Sequence, residues 1–150
     1  MPITFHFKPE ANLMICVHTG SVLDDEFIIY YKSMVESDMF ATATNFLIDL
    51  RQTDSSPRSG DVLRQFADFM KLTLTDSRTS PKVAVVAPKD LSFGFARMYE
   101  FFADSIPWDF VVFRSVDTAL AWLRAPEDLM DDLHKKTQQI LDGDQATASE

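Results

Sequence analysis

The hydrophobic pattern changes period again and again along this 150-residue chain, and that alternation limits its fold more than any single residue does. Between residues 13 and 123, short runs that are apolar at nearly every position alternate with longer stretches whose apolar residues recur three or four apart. The first kind suits a strand covered on both faces, the second an amphipathic helix. Ile3, Phe5, Phe7 and Leu13, Ile15, Val17 flank the turn-forming Pro9-Glu10-Ala11-Asn12, which predicts an antiparallel hairpin. Phe27, Tyr30, Tyr31, Met34 and Val35 then take helical spacing behind the acidic turn Asp24-Asp25-Glu26, where carboxylates suit the helix dipole. Residues 45–50 read as a strand and 51–59 as a polar loop, followed by a second helix with Val62, Leu63, Phe66, Phe69, Met70 and Leu74 on one face.

The cycle repeats. Residues 82–87 form a strand bounded by Pro81 and Pro88, and Ser92 is the expected N-cap of a helix carrying Phe95, Met98, Tyr99 and Phe102. Residues 108–113 make the last strand, and Asp117 is expected to cap a short helix bearing Ala119, Leu120, Trp122 and Leu123. This predicts an α/β fold: a mixed sheet of about five strands, parallel through its helical connections, with the hairpin as an antiparallel edge. Residues 1–125 are expected to form one domain. Pro126 starts an appended helix over 126–142 with Met130, Leu133, Thr137, Ile140 and Leu141 on one face, and 143–150 has no hydrophobic period and is expected to be disordered.

Composition excludes several functions. Cys16 is the lone cysteine, so no disulfide framework or cysteine-based zinc site is available, and a reducing cytoplasm is the expected compartment. The opening MPITFHFKPE lacks the basic and apolar regions of an export signal, and the longest uncharged stretch, 11–23, is too short to span a membrane. A net charge of −9 repels phosphate backbones, so nucleic acid is not an expected partner. Residues 127–150 hold seven acids and two bases, so much of that charge belongs to the C-terminus. The four glycines, at 20, 60, 94 and 143, match no phosphate-binding loop.

Ligands of open α/β sheets bind beyond the carboxyl ends of the strands. Asp24, Asp25, Asp54, Asp90 and Asp117 lie in those loops and could gather a hard cation, but helix starts account more simply for Asp24, Asp25 and Asp117. No metal and no cofactor is expected. A phosphoacceptor site of the receiver type would want a lysine after the last strand, where Arg114 stands. His6, Cys16 and His18 are expected together on the hairpin face opposite Ile3-Phe5-Phe7 and Leu13-Ile15-Val17, as half-exposed surface residues rather than metal ligands or a thiolate pair. There is no G-x-S-x-G elbow, and His134 falls on the appended helix, so no hydrolytic site is expected. The polar stretch 52–61 is either a connecting loop or a switch, in which a phosphate would meet the second helix N-terminus with Arg51 and Arg58 near it. Gly94, in an early helical turn, points to a close approach there, with Arg97 and Tyr99 beside it; Arg97 pairs equally well with Glu100 or Asp104.

Residues 85–99, VVAPKDLSFGFARMY, together with Val112-Phe113-Arg114 and Ala119-Leu120-Ala121-Trp122-Leu123, resemble the bacterial SpoIIAA-like proteins of the STAS superfamily. The resemblance covers roughly residues 1–125. It implies a hairpin leading into strand–helix repeats with an open sheet edge, and no enzymatic activity. It also implies a phosphoacceptor in a D-S-S-G-like loop, which places Asp54-Ser55-Ser56 there with Ser55 and Ser56 as the candidates and Pro57 where the family has glycine. Two functions follow as expectations. One is a protein-binding regulatory module, self-associating or partnered through the sheet edge and second helix and switched at Ser55 or Ser56. The other is a carrier or sensor of a small apolar molecule in a Phe- and Met-lined pocket between sheet and helices near Gly94 and Arg97, and Asp54, Arg58, Ser92, Gly94, Arg97 and Tyr99 are the candidate residues for contact with either a ligand or a partner.

Overall fold

The computed structural model describes residues 2–74, 80–129 and 131–133. Five strands, β1 (Ile3–Lys8), β2 (Leu13–Ser21), β3 (Asn45–Asp54), β4 (Lys82–Val86) and β5 (Asp109–Phe113), lie side by side in sequence order. β1 is antiparallel to β2 and every later pair is parallel, as the alternating pattern predicts. The helices are α1 (Asp24–Val35), α2 (Asp38–Thr42), α3 (Gly60–Thr73), α4 (Asp90–Phe102) and α5 (Val116–Leu123). The short α2, capped by the Ser37 hydroxyl, carries too little apolar periodicity to stand out in the sequence.

Strands apolar at every position have two faces to bury, and both are covered. Met14, Cys16, Phe46, Val83 and Val85 face α1, α3 and α4 through Phe27, Tyr31, Leu63, Phe66, Ala96 and Tyr99. Leu13, Ile15, Leu47, Ala84 and Val86 face α5 through Ala119, Leu120 and Leu123. Leu129 and Leu133 join this second core, so the start of the C-terminal helix packs on the domain. Met130, His134, Thr137, Ile140, Leu141 and the tail 143–150 lie outside the described residues.

Three local expectations are corrected. The first is the hairpin face. Its connection is a 3-10 turn at Pro9–Ala11 closed by Asn12 at φ 52°, and it pairs Lys8 with Leu13, Phe5 with Cys16 and Ile3 with His18. Odd residues of β1 therefore share a face with even residues of β2. Cys16 and His18 are buried with Ile3, beside the partly buried Phe5, while His6 points to the other side and is exposed. The second concerns β3, which extends four residues further than the apolar run because β2 pairs with it out to Ser21↔Asp54. The third concerns the caps. Phe93 N already donates to Lys89 O, so α4 has begun before Ser92, and the α5 cap is the Ser115 hydroxyl, which accepts from Asp117 N at 3.2 Å.

Candidate functional site

β3 carries an irregularity that builds the site. Val17 pairs with Asp49 but Thr19 pairs with Gln52, so β3 holds one residue more than β2 across this step. An extra residue reverses which side the following residues face. Ile48 and Leu50 point toward α1, α3 and α4 before the shift, and Thr53 does so after it. Thr53 is buried, and its hydroxyl donates to Gly20 O at 2.8 Å.

Between this end of the sheet and the three helices lies a cavity of about 80 Å³. Its walls are mainly rings: Phe27, Tyr31, Phe66, Phe95, Tyr99 and Phe110. A second lobe of about 50 Å³ adjoins it toward Met34, Met70 and Trp108, and the two share Tyr31, Ile48, Phe66, Tyr99 and Phe110. Polar groups are few and specific. His18 Nε2 and the Tyr31 hydroxyl are hydrogen-bonded at 2.6 Å. Burial, helped by the nearby Arg58 charge, lowers the His18 pKa to about 3, so the ring is neutral at pH 7. Burial also pushes the Cys16 thiol and the Tyr31 and Tyr99 phenols up, keeping all three protonated. The Tyr99 hydroxyl is buried without a hydrogen-bond partner among the described residues.

At the edge of the cavity, the Ser55 and Ser92 hydroxyls share a hydrogen bond of 2.7 Å, joining the loop after β3 to the first turn of α4. Ser92 is buried and Ser55 turns inward with it. Arg58 lies over the Phe27 ring, 4.2 Å from its centroid, and donates to Asp24 Oδ1 at 2.9 Å and to Val22 O at 3.2 Å. Asp24, at the start of α1, thus balances the one formal charge in the cavity wall.

The remaining candidates are placed elsewhere. Ser56 is exposed; its backbone N–H and its hydroxyl both donate to the Asp54 carboxylate, which holds that carboxyl below its usual range. Arg51, expected near a phosphate, is bound in two-pronged fashion to buried Asp49 on the α5 side. Gly94 is on the outer face of α4, where an added Cβ would meet nothing within 4 Å, so no close approach explains it. Arg97 pairs with Glu100 at 2.9 Å on that same outer face, away from Tyr99. Arg114 bonds Asp90 and stacks on Phe93. Among the described residues, no three carboxylate, histidine or cysteine side chains converge as a metal site, and no helix is long and apolar enough to cross a membrane.

Sequence reasoning therefore groups Arg58, Ser92 and Tyr99 but sets Ser55 apart as a phosphoacceptor; it puts His18 on the surface and gives Tyr31 and Thr53 no part in a site. Counting the hairpin connection would have found His18, because a four-residue link that pairs residue 8 with 13 also pairs 3 with 18. Nothing local signals the shift that turns Thr53 inward.

The sequence matches no family model and no curated protein. A crystal structure of an uncharacterized DUF3478-family protein from Shewanella loihica PV-4, with a SpoIIAA-like fold, superposes at a TM-score of 0.51. The match has 20% identity and covers 81% of this chain and 91% of that one. The fold is SpoIIAA-like. The mixed five-stranded sheet with its antiparallel first strand agrees with that architecture, and identity this low carries the architecture alone.

Proposed function

We propose that this chain is a non-enzymatic SpoIIAA-like module that binds a small, mainly apolar molecule in the cavity between its sheet and α1, α3 and α4. The observation that carries this reading is the Tyr99 hydroxyl. A buried polar group left without a partner costs about 1–3 kcal/mol, and a bound molecule with one suitably placed oxygen or nitrogen recovers that loss. The absence of enzymatic chemistry is part of the proposal. Among the described residues no carboxylate lines the cavity, Ser55 and Ser92 hold each other, and His18 Nε2 is engaged with Tyr31, which leaves no base facing a nucleophile there.

The test is a thermal-shift screen of small fragments against the whole chain and the cavity-filling variant Ala96→Leu, since Ala96 lines the wall. A fragment at ten times its Kd adds about 1.4 kcal/mol to stability, which raises Tm by about 3–5 °C in a domain of this size. The expected result is at least one fragment that shifts the natural chain and not the variant; a library in which every hit shifts both equally refutes the reading.

A second reading is partner binding controlled at Ser56, favoured by one observation: this hydroxyl is solvent-exposed at the head of the loop into α3. A phosphate there would face the Asp54 carboxylate and would have to displace it. If self-association or partner capture is the same for Ser56→Asp, Ser56→Ala and the natural chain, this reading is wrong.

A further inference from the structure

We infer that the cavity takes a neutral molecule built on a single aromatic ring and bearing one hydroxyl or carbonyl oxygen, and that Tyr99 is the residue that selects for this oxygen. The inference rests on the binding function proposed above and narrows it to a chemical class.

Size sets the first limit. A cavity of about 150 Å³ holds a benzene molecule. The larger lobe here, about 80 Å³, is roughly half that, and the smaller, which shares Tyr99 and Phe66 with it, adds about 50 Å³. The two volumes together come close to what one ring needs. An acyl chain of lipid length or a nucleotide exceeds what these walls can enclose.

Shape sets the second. Phe27 meets Phe66 edge to face at 5.3 Å, and Phe66 stacks on Tyr99 at 5.6 Å, so planar faces and edges already enclose the space. A planar aromatic guest continues that packing.

Charge sets the third. Among the described residues Arg58 is the only formally charged one in the lining, and its guanidinium is already committed to Asp24 Oδ1, Val22 O and the face of Phe27. An anionic guest would have to take Arg58 from Asp24 or stay desolvated and unpaired. A cationic guest finds the Phe27 face occupied and meets like charge. Neutral guests meet neither obstacle.

Hydrogen bonding sets the last. His18 and Tyr31 share one hydrogen bond, Ser55 and Ser92 share another, and the Thr53 hydroxyl donates to Gly20 O. Tyr99 carries the one buried side-chain hydroxyl among the described residues that has no hydrogen-bond partner, and burial keeps its phenol protonated, so it serves as a donor to a guest oxygen.

The experiment measures the affinity of p-cresol, toluene and benzoate for the whole chain and for Tyr99→Phe by ligand-observed NMR titration at pH 7. Toluene is p-cresol without its oxygen, so the ratio of the two Kd values isolates that atom, and comparing the ratio between the two chains isolates its pairing with Tyr99. The expected result is that p-cresol binds the natural chain, that benzoate binds at least tenfold more weakly, and that Tyr99→Phe reduces the preference for p-cresol over toluene by about five- to tenfold. In the natural chain alone, the Tyr99 Cζ resonance is expected to move further with p-cresol than with toluene, a readout that does not depend on how the variant folds. An unchanged preference, an equal Cζ response or benzoate binding as tightly as p-cresol overturns this inference while leaving a pocket that binds something else. Failure of both p-cresol and toluene to bind overturns this inference and counts against the pocket itself.

Discussion

Replacing His18 with glutamine should remove a large part of the acid sensitivity of this fold. The ring is 3% exposed, hydrogen-bonded through Nε2 to the Tyr31 hydroxyl at 2.6 Å and packed against the Tyr31 and Phe27 rings. Its folded pKa is about 3, chiefly because burial disfavours the charged ring. In the unfolded chain the same group titrates near 6.5, at about its unperturbed value. As pH falls through 6.5 the unfolded chain takes up a proton that the folded chain refuses until about pH 3. Proton uptake therefore favours unfolding, and this contribution to stability is intact above pH 6.5 and is lost progressively below it. The slope is about 1.4 kcal/mol per pH unit, so the loss from this one group between pH 7 and pH 5 is about 2 kcal/mol. Carboxylates contribute to the same acid limb, and the comparison cancels them. Urea titrations of the natural chain and His18→Gln at both pH values give two losses of stability, and the natural chain should lose about 2 kcal/mol more. Glutamine keeps a polar group beside Tyr31, which limits the damage at neutral pH. Equal losses would show that His18 protonates inside the folded protein, which would mean that water already fills the cavity around it.

Two further outcomes test the frame of the site. Arg58→Ala removes an ion pair, a backbone hydrogen bond and a cation–ring contact at once, and should cost about 2 kcal/mol in chemical denaturation. Arg58→Lys should recover less than half of that, because an ammonium cannot make the same forked contacts; full recovery would show that charge alone matters there. Arg124 closes α5 at φ 57°, a left-handed conformation that favours glycine, so Arg124→Gly should raise stability by about 0.5–1 kcal/mol in a thermal melt. A lowered Tm would show that the arginine side chain contributes more than its backbone costs.

The architecture was legible because both faces of the sheet are buried. That condition makes β3 and β4 apolar at consecutive positions, and the helices between them show their own period around Phe27, Phe66 and Tyr99. The resemblance drawn from 85–99 agrees with the fold that the superposition shows. Legibility ended where two segments meet. Ser92 has the composition of a cap, yet its hydroxyl is taken by Ser55, 37 residues away. Gly94 has the look of a contact point, yet the space beside it is open.

By itself the sequence determined the order and type of the elements, since each is set by the spacing of its own apolar residues and by nearby turns and caps. Only the tertiary structure decided which way His18 and Thr53 face and that they enclose one cavity with Tyr99, Arg58 and Ser55. The physical reason is that a strand has a period of two. A single residue in a hairpin connection or a strand irregularity exchanges its inner and outer faces, and that parity is fixed by pairing with a distant strand.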